Sequence, residues 1–153
     1  MKHLLVIYGG HLGGHTEALL GAVCKGAHNS VDEVAVRAIP ALQADISDLL
    51  WAQALLIGTP EHFGYMSGAV KDFMDRTFYP AEGKVDGLPY AVFVSAGNDG
   101  SGAVTAIERI ALGYRWKKSA EAIIVRGRPT ELDLARCREL GETFAAALAL
   151  GVL

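Results

Sequence analysis

Two cysteines in 153 residues, Cys24 and Cys137, exclude a disulfide-stapled fold. They lie far apart, and neither sits in a Cys-x-x-Cys pair, so two buried free thiols and a reducing cytoplasmic setting are expected. Basic residues are also few: 14 Lys and Arg stand against 17 Asp and Glu, a net charge of -3, and no strongly basic face for nucleic acid is visible. Long hydrophobic runs are missing. Residues 1–8 are too short an apolar run for a secretory signal and lead into glycine, and residues 144–150 fall far short of a membrane span. The Gly-x-x-x-x-Gly-Lys-Ser/Thr loop of nucleotide triphosphatases is absent, as is the Gly-x-Ser-x-Gly elbow of serine hydrolases. His11 and His15 have no third ligand at useful spacing, so no metal site is expected. With 51% hydrophobic and 20% charged residues, the chain reads as one globular domain over 1–153.

What is present is an alternation. Short apolar runs at 3–8, 33–39, 53–58, 90–95 and 121–126 read as strands. Residues 33–39 alternate polar and apolar, as a half-exposed edge strand does, and Pro40 ends them. Helices are expected at about 15–25, at 45–51 with Asp45 or Ser47 as cap, from Ser67 to about 78, from the 95–102 loop to 112 with Gly113 as stop, and over 131–150 behind Pro129 and Thr130. Residues 80–89 read as a polar linker, and Asp72, Asp75, Lys71 and Arg76 as the solvent side of their helix. Five βα units in this length predict an α/β fold, a three-layer, doubly wound, five-stranded parallel sheet, and 2-1-3-4-5, a common order for such sheets, is taken for it. In that order strands one, three and four are neighbours, and their C-terminal loops meet in one crevice. The last helix places Leu132, Leu134, Cys137, Leu140, Phe144 and Leu148 on one face, and its apolar surplus after Phe144 points to a homodimer or larger assembly.

Three loops open onto that crevice. The first, 9–16, is glycine-rich and ends at a helix start, where free N–H groups and the helix dipole suit a phosphate. Thr16 adds a hydroxyl, and His11 or His15 a further donor. A tight strand-to-helix turn without ligand would use the same residues. The second, 58–68, clusters His62, Phe63, Tyr65 and Met66 at a strand end and suits a flat ring. The third, 95–102, is again rich in glycine.

The run Gly58-Thr59-Pro60-Glu61-His62-Phe63-Gly64-Tyr65-Met66-Ser67-Gly68, with Lys71, Phe73, Asp75 and Thr77, resembles the flavin loop and helix of the flavodoxin-like NAD(P)H:quinone oxidoreductases, the tryptophan-repressor-binding-protein-like branch of the flavodoxin superfamily, close to the NADPH-dependent FMN reductases. Gly14-His15-Thr16-Glu17 resembles the second half of that family's phosphate loop, and residues 95–102 match its third loop in position. The resemblance implies non-covalent flavin mononucleotide (FMN). On it, His11, Leu12, Gly13, Gly14, His15 and Thr16 hold the phosphate. Pro60, Glu61, His62, Phe63, Gly64, Tyr65 and Met66 run along the ring, with backbone near Phe63, Gly64 and Tyr65 at its reactive edge. Ser95, Ala96, Gly97, Asn98, Asp99 and Gly100 line the other side and the pyrimidine end. No catalytic side chain is implied, because the flavin carries the chemistry.

Three readings follow. The modest charge and the positive mean hydropathy of +0.26 favour an NAD(P)H-dependent oxidoreductase passing electrons through FMN to a quinone or another small acceptor. The first alternative is an electron-carrier flavodoxin serving a redox partner protein. The second is an interaction or regulatory module without flavin, motivated by His11 and Gly13 standing where the family's loop carries hydroxyls.

Overall fold

The apolar run at the start of the chain becomes an interior strand. Leu4, Leu5, Val6 and Ile7 are all fully buried, as a parallel strand covered on both faces requires. The computed structural model of the protein describes residues 1–11, 13–29 and 32–153. In chain order its elements are β1 (Lys2–Tyr8), α1 (His15–Asn29), β2 (Val34–Pro40), α2 (Ile46–Trp51), β3 (Ala54–Pro60), α3 (Gly68–Ala81), β4 (Pro89–Ala96), α4 (Ser101–Tyr114), β5 (Lys117–Lys118), β6 (Ile123–Arg126) and α5 (Glu131–Leu150). The sheet is parallel throughout, in the order β2-β1-β3-β4. The fifth position is shared: β5 pairs with Pro89 and Tyr90, and β6 pairs with the stretch from Phe93 to Ala96. The expected order 2-1-3-4-5 is therefore the observed one, with its last strand broken into two pieces.

Alternation along each strand sorts the core into two layers. Leu5, Ile7, Leu55, Ile57, Val92 and Val94 pack against the layer that includes Leu49 of α2, Phe73 and Met74 of α3, and Ile107 of α4. Leu4, Val6, Leu56, Phe93 and Val125 pack against Leu19 and Val23 of α1 and Leu140 and Phe144 of α5. β2, at the edge, buries only Val34 fully. Among the described residues no helix is long and apolar enough to cross a membrane.

Several boundaries differ from expectation. α1 runs on to Asn29, and α3 continues through Pro80 to Ala81, so part of the expected linker is helical. A proline in the last turn removes one backbone donor, while the Glu82 N–H still closes on the Tyr79 carbonyl at 3.2 Å. α4 ends not at Gly113 but on Arg115, which takes the left-handed conformation at φ 64°. Asp45 caps α2 in a capping box with Asp48, and Thr130 does the same for α5 with Asp133. Leu132 is exposed rather than part of the buried face of α5. Arg76 does more than decorate a surface: besides pairing with Asp72 at 2.7 Å, it donates to the carbonyls of Ala44 and Ala41 at 2.8 and 2.9 Å, tying α3 to the turn before α2. Cys137 is buried, but Cys24 is only partly so.

α1 and α5 meet through backbone. A Cβ on Gly26 would collide with the Arg138 carbonyl oxygen, and one on Gly141 with that of Val23. The pair of glycines lets the two helices approach more closely than side chains allow. Gly26→Ala is expected to destabilise the protein by about 1–3 kcal/mol through overpacking, against a helix preference for alanine worth about 1 kcal/mol. Gly21→Ala, in the same helix but facing open space, is expected to stabilise it by up to about 1 kcal/mol. Urea denaturation of the two variants gives both signs.

Burial also sets the alkaline limit of the fold. The Cys137 thiol is pushed up to about 11, chiefly by burial, and the Tyr90 and Tyr114 hydroxyls to about 12 by the same cause. Each folded value lies above the ordinary 9.0 or 10.0, so the unfolded chain loses these protons first. The stabilisation is complete below the ordinary values and fades as pH rises through the folded ones. A urea midpoint that is flat around neutrality and falls progressively above about pH 9 is expected from denaturation curves taken at stepped pH.

Candidate functional site

All five principal helices start at the edge where the strands end. β1 finishes at Tyr8, and the chain turns through Gly10 and Gly13, at φ 105° and 78°, before α1 begins at His15. The Gly14 N–H donates to the His11 carbonyl at 3.1 Å and closes the turn. His11 lies against Gly14, within 3.1 Å of where a Cβ on that glycine would stand. Leu12 lies outside the described residues. Thr16 is buried in the first turn of α1, where backbone N–H groups lack intrahelical acceptors. Its Oγ1 is 2.5 Å from Oγ of Ser95, itself buried at the end of β4. The two hydroxyls thus join the first loop to the third.

The loop after β3 is built around a tight turn. His62 and Tyr65 exchange backbone hydrogen bonds of 2.9 and 3.0 Å, with Phe63 at φ 51° and Gly64 at φ 72° between them. Positive φ at both central positions is the type I′ pattern, which normally takes Asn or Asp followed by Gly. Phenylalanine there is strained, and its side chain is fully exposed. Behind the turn, the Thr59 hydroxyl accepts the Ser67 N–H at 2.9 Å, and Ser67 caps α3 by accepting the Val70 N–H at 3.3 Å. Met66 is 2% exposed and belongs to the core against α3.

Glu61 ties the second loop to the third. Its N–H donates to the Ser95 carbonyl at 2.8 Å. One carboxylate oxygen accepts from the Gly100 N–H at 3.0 Å, the other from Gly102 and Ala103 at 3.1 and 3.3 Å. α4 begins at a glycine N-cap, φ 85°, which has no side chain to cap with, so a residue from a neighbouring loop caps it instead. Gly102 is required beside it: a Cβ there would collide with the Gly64 carbonyl. Asp99 accepts from the Ser101 hydroxyl and lies 3.8 Å from Arg126.

Together these loops enclose a cleft of 240 Å³. His11, Gly14, His15, Thr16, Pro60, Glu61, His62, Ser95, Ala96 and Gly97 border it, all residues singled out from the sequence. Gly10, of the same 9–16 loop, borders it too, and so does Gly127, which was not expected; the signal for Gly127 is the glycine directly after β6, at the same sheet edge. Gly13, Phe63, Gly64, Tyr65, Met66, Asn98, Asp99 and Gly100 are not on its wall. Gly64 and Tyr65 border a neighbouring hollow of 370 Å³ with Gly102 and Arg109. Glu61 as the cap of α4 was not foreseen; the clue is a helix start with glycine at its cap position. Larger hollows lie beside it and where the strands begin, but three loops and a helix start converge only here among the described cavities.

Comparison with known proteins places this architecture. Residues 3–118 match the family model described as NADPH-dependent FMN reductase. The NAD(P)H dehydrogenase (quinone) of Paracoccus denitrificans is 32% identical over 127 residues, covering 71% of this chain and 61% of that one. The chain spans only 59% to 64% of the length of four quinone dehydrogenases that it resembles. A flavodoxin of Aquifex aeolicus is 30% identical over 168 aligned positions, covering 99% of this chain and 90% of its own. Among solved structures, a flavodoxin from the domain Archaea superposes with a TM-score of 0.80 at 24% identity, covering 96% and 99% of the two chains. The flavodoxin, WrbA-like protein from Agrobacterium tumefaciens gives 0.73 at 20%, covering 99% and 98%. The expected fold is thereby confirmed, and sequence carries the kinship further: this flavodoxin-like redox protein, related to both flavodoxins and quinone oxidoreductases, belongs to the NADPH-dependent FMN reductase family.

Proposed function

We propose that the protein binds FMN in the 240 Å³ cleft and works as a small electron carrier of the flavodoxin type. The observation that carries this reading is the convergence of three loops and the α1 start on one cleft, bordered by glycines, the two buried hydroxyls of Thr16 and Ser95, three histidines and Glu61. The residues fit the group. Backbone N–H groups over 13–16 and the Thr16 hydroxyl suit a phosphate dianion. On this reading residues 60–62 and 95–97, side by side at the ends of β3 and β4, border the place of the flat ring. FMN would supply the electron chemistry; the chain binds it, orients it and screens it from water on the sheet side.

The carrier reading replaces the reductase that composition favoured. The flavodoxin relative aligns with 99% of this chain, whereas the quinone dehydrogenase of Paracoccus denitrificans aligns with 71% of it. Residues 113–118 are used up in the end of α4, the Arg115 turn and β5, which leaves no inserted segment there. The family match over 3–118 supports the second reading, an NAD(P)H-dependent reductase acting on a quinone or another small acceptor.

Protein mixed with FMN and desalted is expected to stay yellow. Its flavin should be reduced readily by dithionite, but no faster by NADH or NADPH than free FMN is. Rapid bleaching by either nicotinamide in a stopped-flow mixer would overturn the carrier in favour of the reductase. Colourless protein after desalting would sink both and leave the module without flavin.

Thr16→Val keeps the shape of the side chain and removes its hydroxyl. Loss of a hydrogen bond to a charged group predicts FMN binding weaker by about tenfold or more. Titration by quenching of flavin fluorescence measures this, with far-UV circular dichroism expected to be unchanged.

A further inference from the structure

Gly14 differs from the other glycines of the first loop. Gly10 and Gly13 take the left-handed conformation, but Gly14 does not, so its backbone makes no demand for glycine. What a Cβ there would meet is His11: Cε1 and Nε2 of the ring at 3.1 and 3.2 Å, and the carbonyl oxygen at 3.1 Å. The imidazole therefore lies against the residue that precedes α1, with Nε2 beside the helix start. It is exposed, and His11 borders the cleft together with Gly14, His15 and Thr16. Among the described residues the ring has no hydrogen-bond or ion-pair partner of its own. An imidazole in this place can do what a hydroxyl cannot. It can bring a full positive charge to a point where the α1 dipole supplies only a partial one.

The groups around it do not cancel that charge. Tyr8, at the end of β1, stays neutral, because burial raises its hydroxyl. His15 and Glu17 stand in the first turn of α1. Glu61 and His62 come from the loop after β3, and both oxygens of Glu61 are taken by N–H groups of α4. The loop after β4 adds Asp99, which accepts from Ser101 and faces Arg126. Arg126 and Arg128 flank Gly127 on the side of β6. Glu17 is therefore the carboxylate that competes for the ring.

We propose that His11 binds the FMN phosphate as an imidazolium, so that the hold on the cofactor tightens as pH falls from about 8.5 to about 6.5. The inference rests on the FMN reading above and adds to it a charge that comes and goes. Its sign follows from linkage: a dianion favours the protonated ring, so binding takes up a proton, and affinity rises toward the pH at which the free ring already carries it. The gain ends near about pH 6, where the phosphate itself takes up a proton.

The test titrates FMN and riboflavin into the full chain and into His11→Gln, His11→Lys and His28→Gln, followed by quenching of flavin fluorescence. His28 lies at the far end of α1, with its ring on the Cys24 carbonyl, and serves as a histidine control. Wild type and His28→Gln are expected to bind FMN about fivefold or more tightly at about pH 6.5 than at about pH 8.5. Riboflavin, which has no phosphate, should show no such rise. His11→Gln should lose the rise. His11→Lys, charged throughout this range, should bind at the higher pH as tightly as wild type does at the lower. Calorimetry in two buffers of different ionisation enthalpy should find proton uptake when FMN binds wild type and none when it binds His11→Gln. An FMN affinity that is flat with pH in wild type, a rise that survives in His11→Gln, or the same rise with riboflavin overturns the proposal and leaves the FMN reading standing. Wild-type protein that takes up no FMN at either pH removes the parent reading and this inference with it.

Discussion

A parallel sheet cannot turn back on itself with a hairpin. Each strand must return through a helix, and the helices must cover both faces because the strands are apolar on both. Everything else about this protein descends from that constraint. It forces all strands to end at one edge, and so the helices that follow begin there. Partial positive charge from the first turns of α1, α3 and α4 is gathered at that edge without any basic residue being spent on it. A chain with net charge -3 can in this way offer an anion a favourable site. Where the strand order steps from β1 outward to β2 on one side and β3 on the other, the covering helices part and the cleft opens.

Much of this was readable from residue pattern alone, because it depends on period and polarity. Leu4 to Ile7 and Tyr90 to Ser95 are unbroken apolar runs, and both proved to be strands buried on two faces. The strand order followed from alternation together with family resemblance. Boundaries were less legible where tertiary contacts overrule local preference. Gly113 looked like a helix stop, yet Arg115 takes the left-handed turn, since closing α4 there aligns Lys117 with Pro89. Pro80 read as the start of a linker, yet the helix outlasts it by a residue.

The site divides in the same way. Residues that contribute backbone or a short side chain close to a strand end, such as Thr16, Pro60, Ser95 and Gly97, border the cleft. Those singled out by side-chain type mostly do not. Four ring- or sulfur-bearing residues suggested an aromatic wall; of these only His62 reaches the cleft, while Met66 turns into the core and Phe63 outward into water. Direction within a loop depends on φ and ψ, and no pattern in the sequence announces a phenylalanine at φ 51°. The capping role of Glu61 escaped for a related reason: its partners are backbone groups some 40 positions away, and backbone donors leave no signature in composition.

The glycine seam between α1 and α5 has a bearing on the distant cleft. Gly26 stands about 16 Å along α1 from the first turn of that helix, at 1.5 Å per residue. α1 is a stiff rod, held near its far end by contact between backbones and ending near the Thr16–Ser95 hydroxyl pair. Such a rod behaves as a lever. Any residue that thickens the seam would tilt the helix and swing the loop at its start, although nothing at the cleft itself had changed. The geometry of the mouth is thus partly dictated by how thin the protein can be made on its far side.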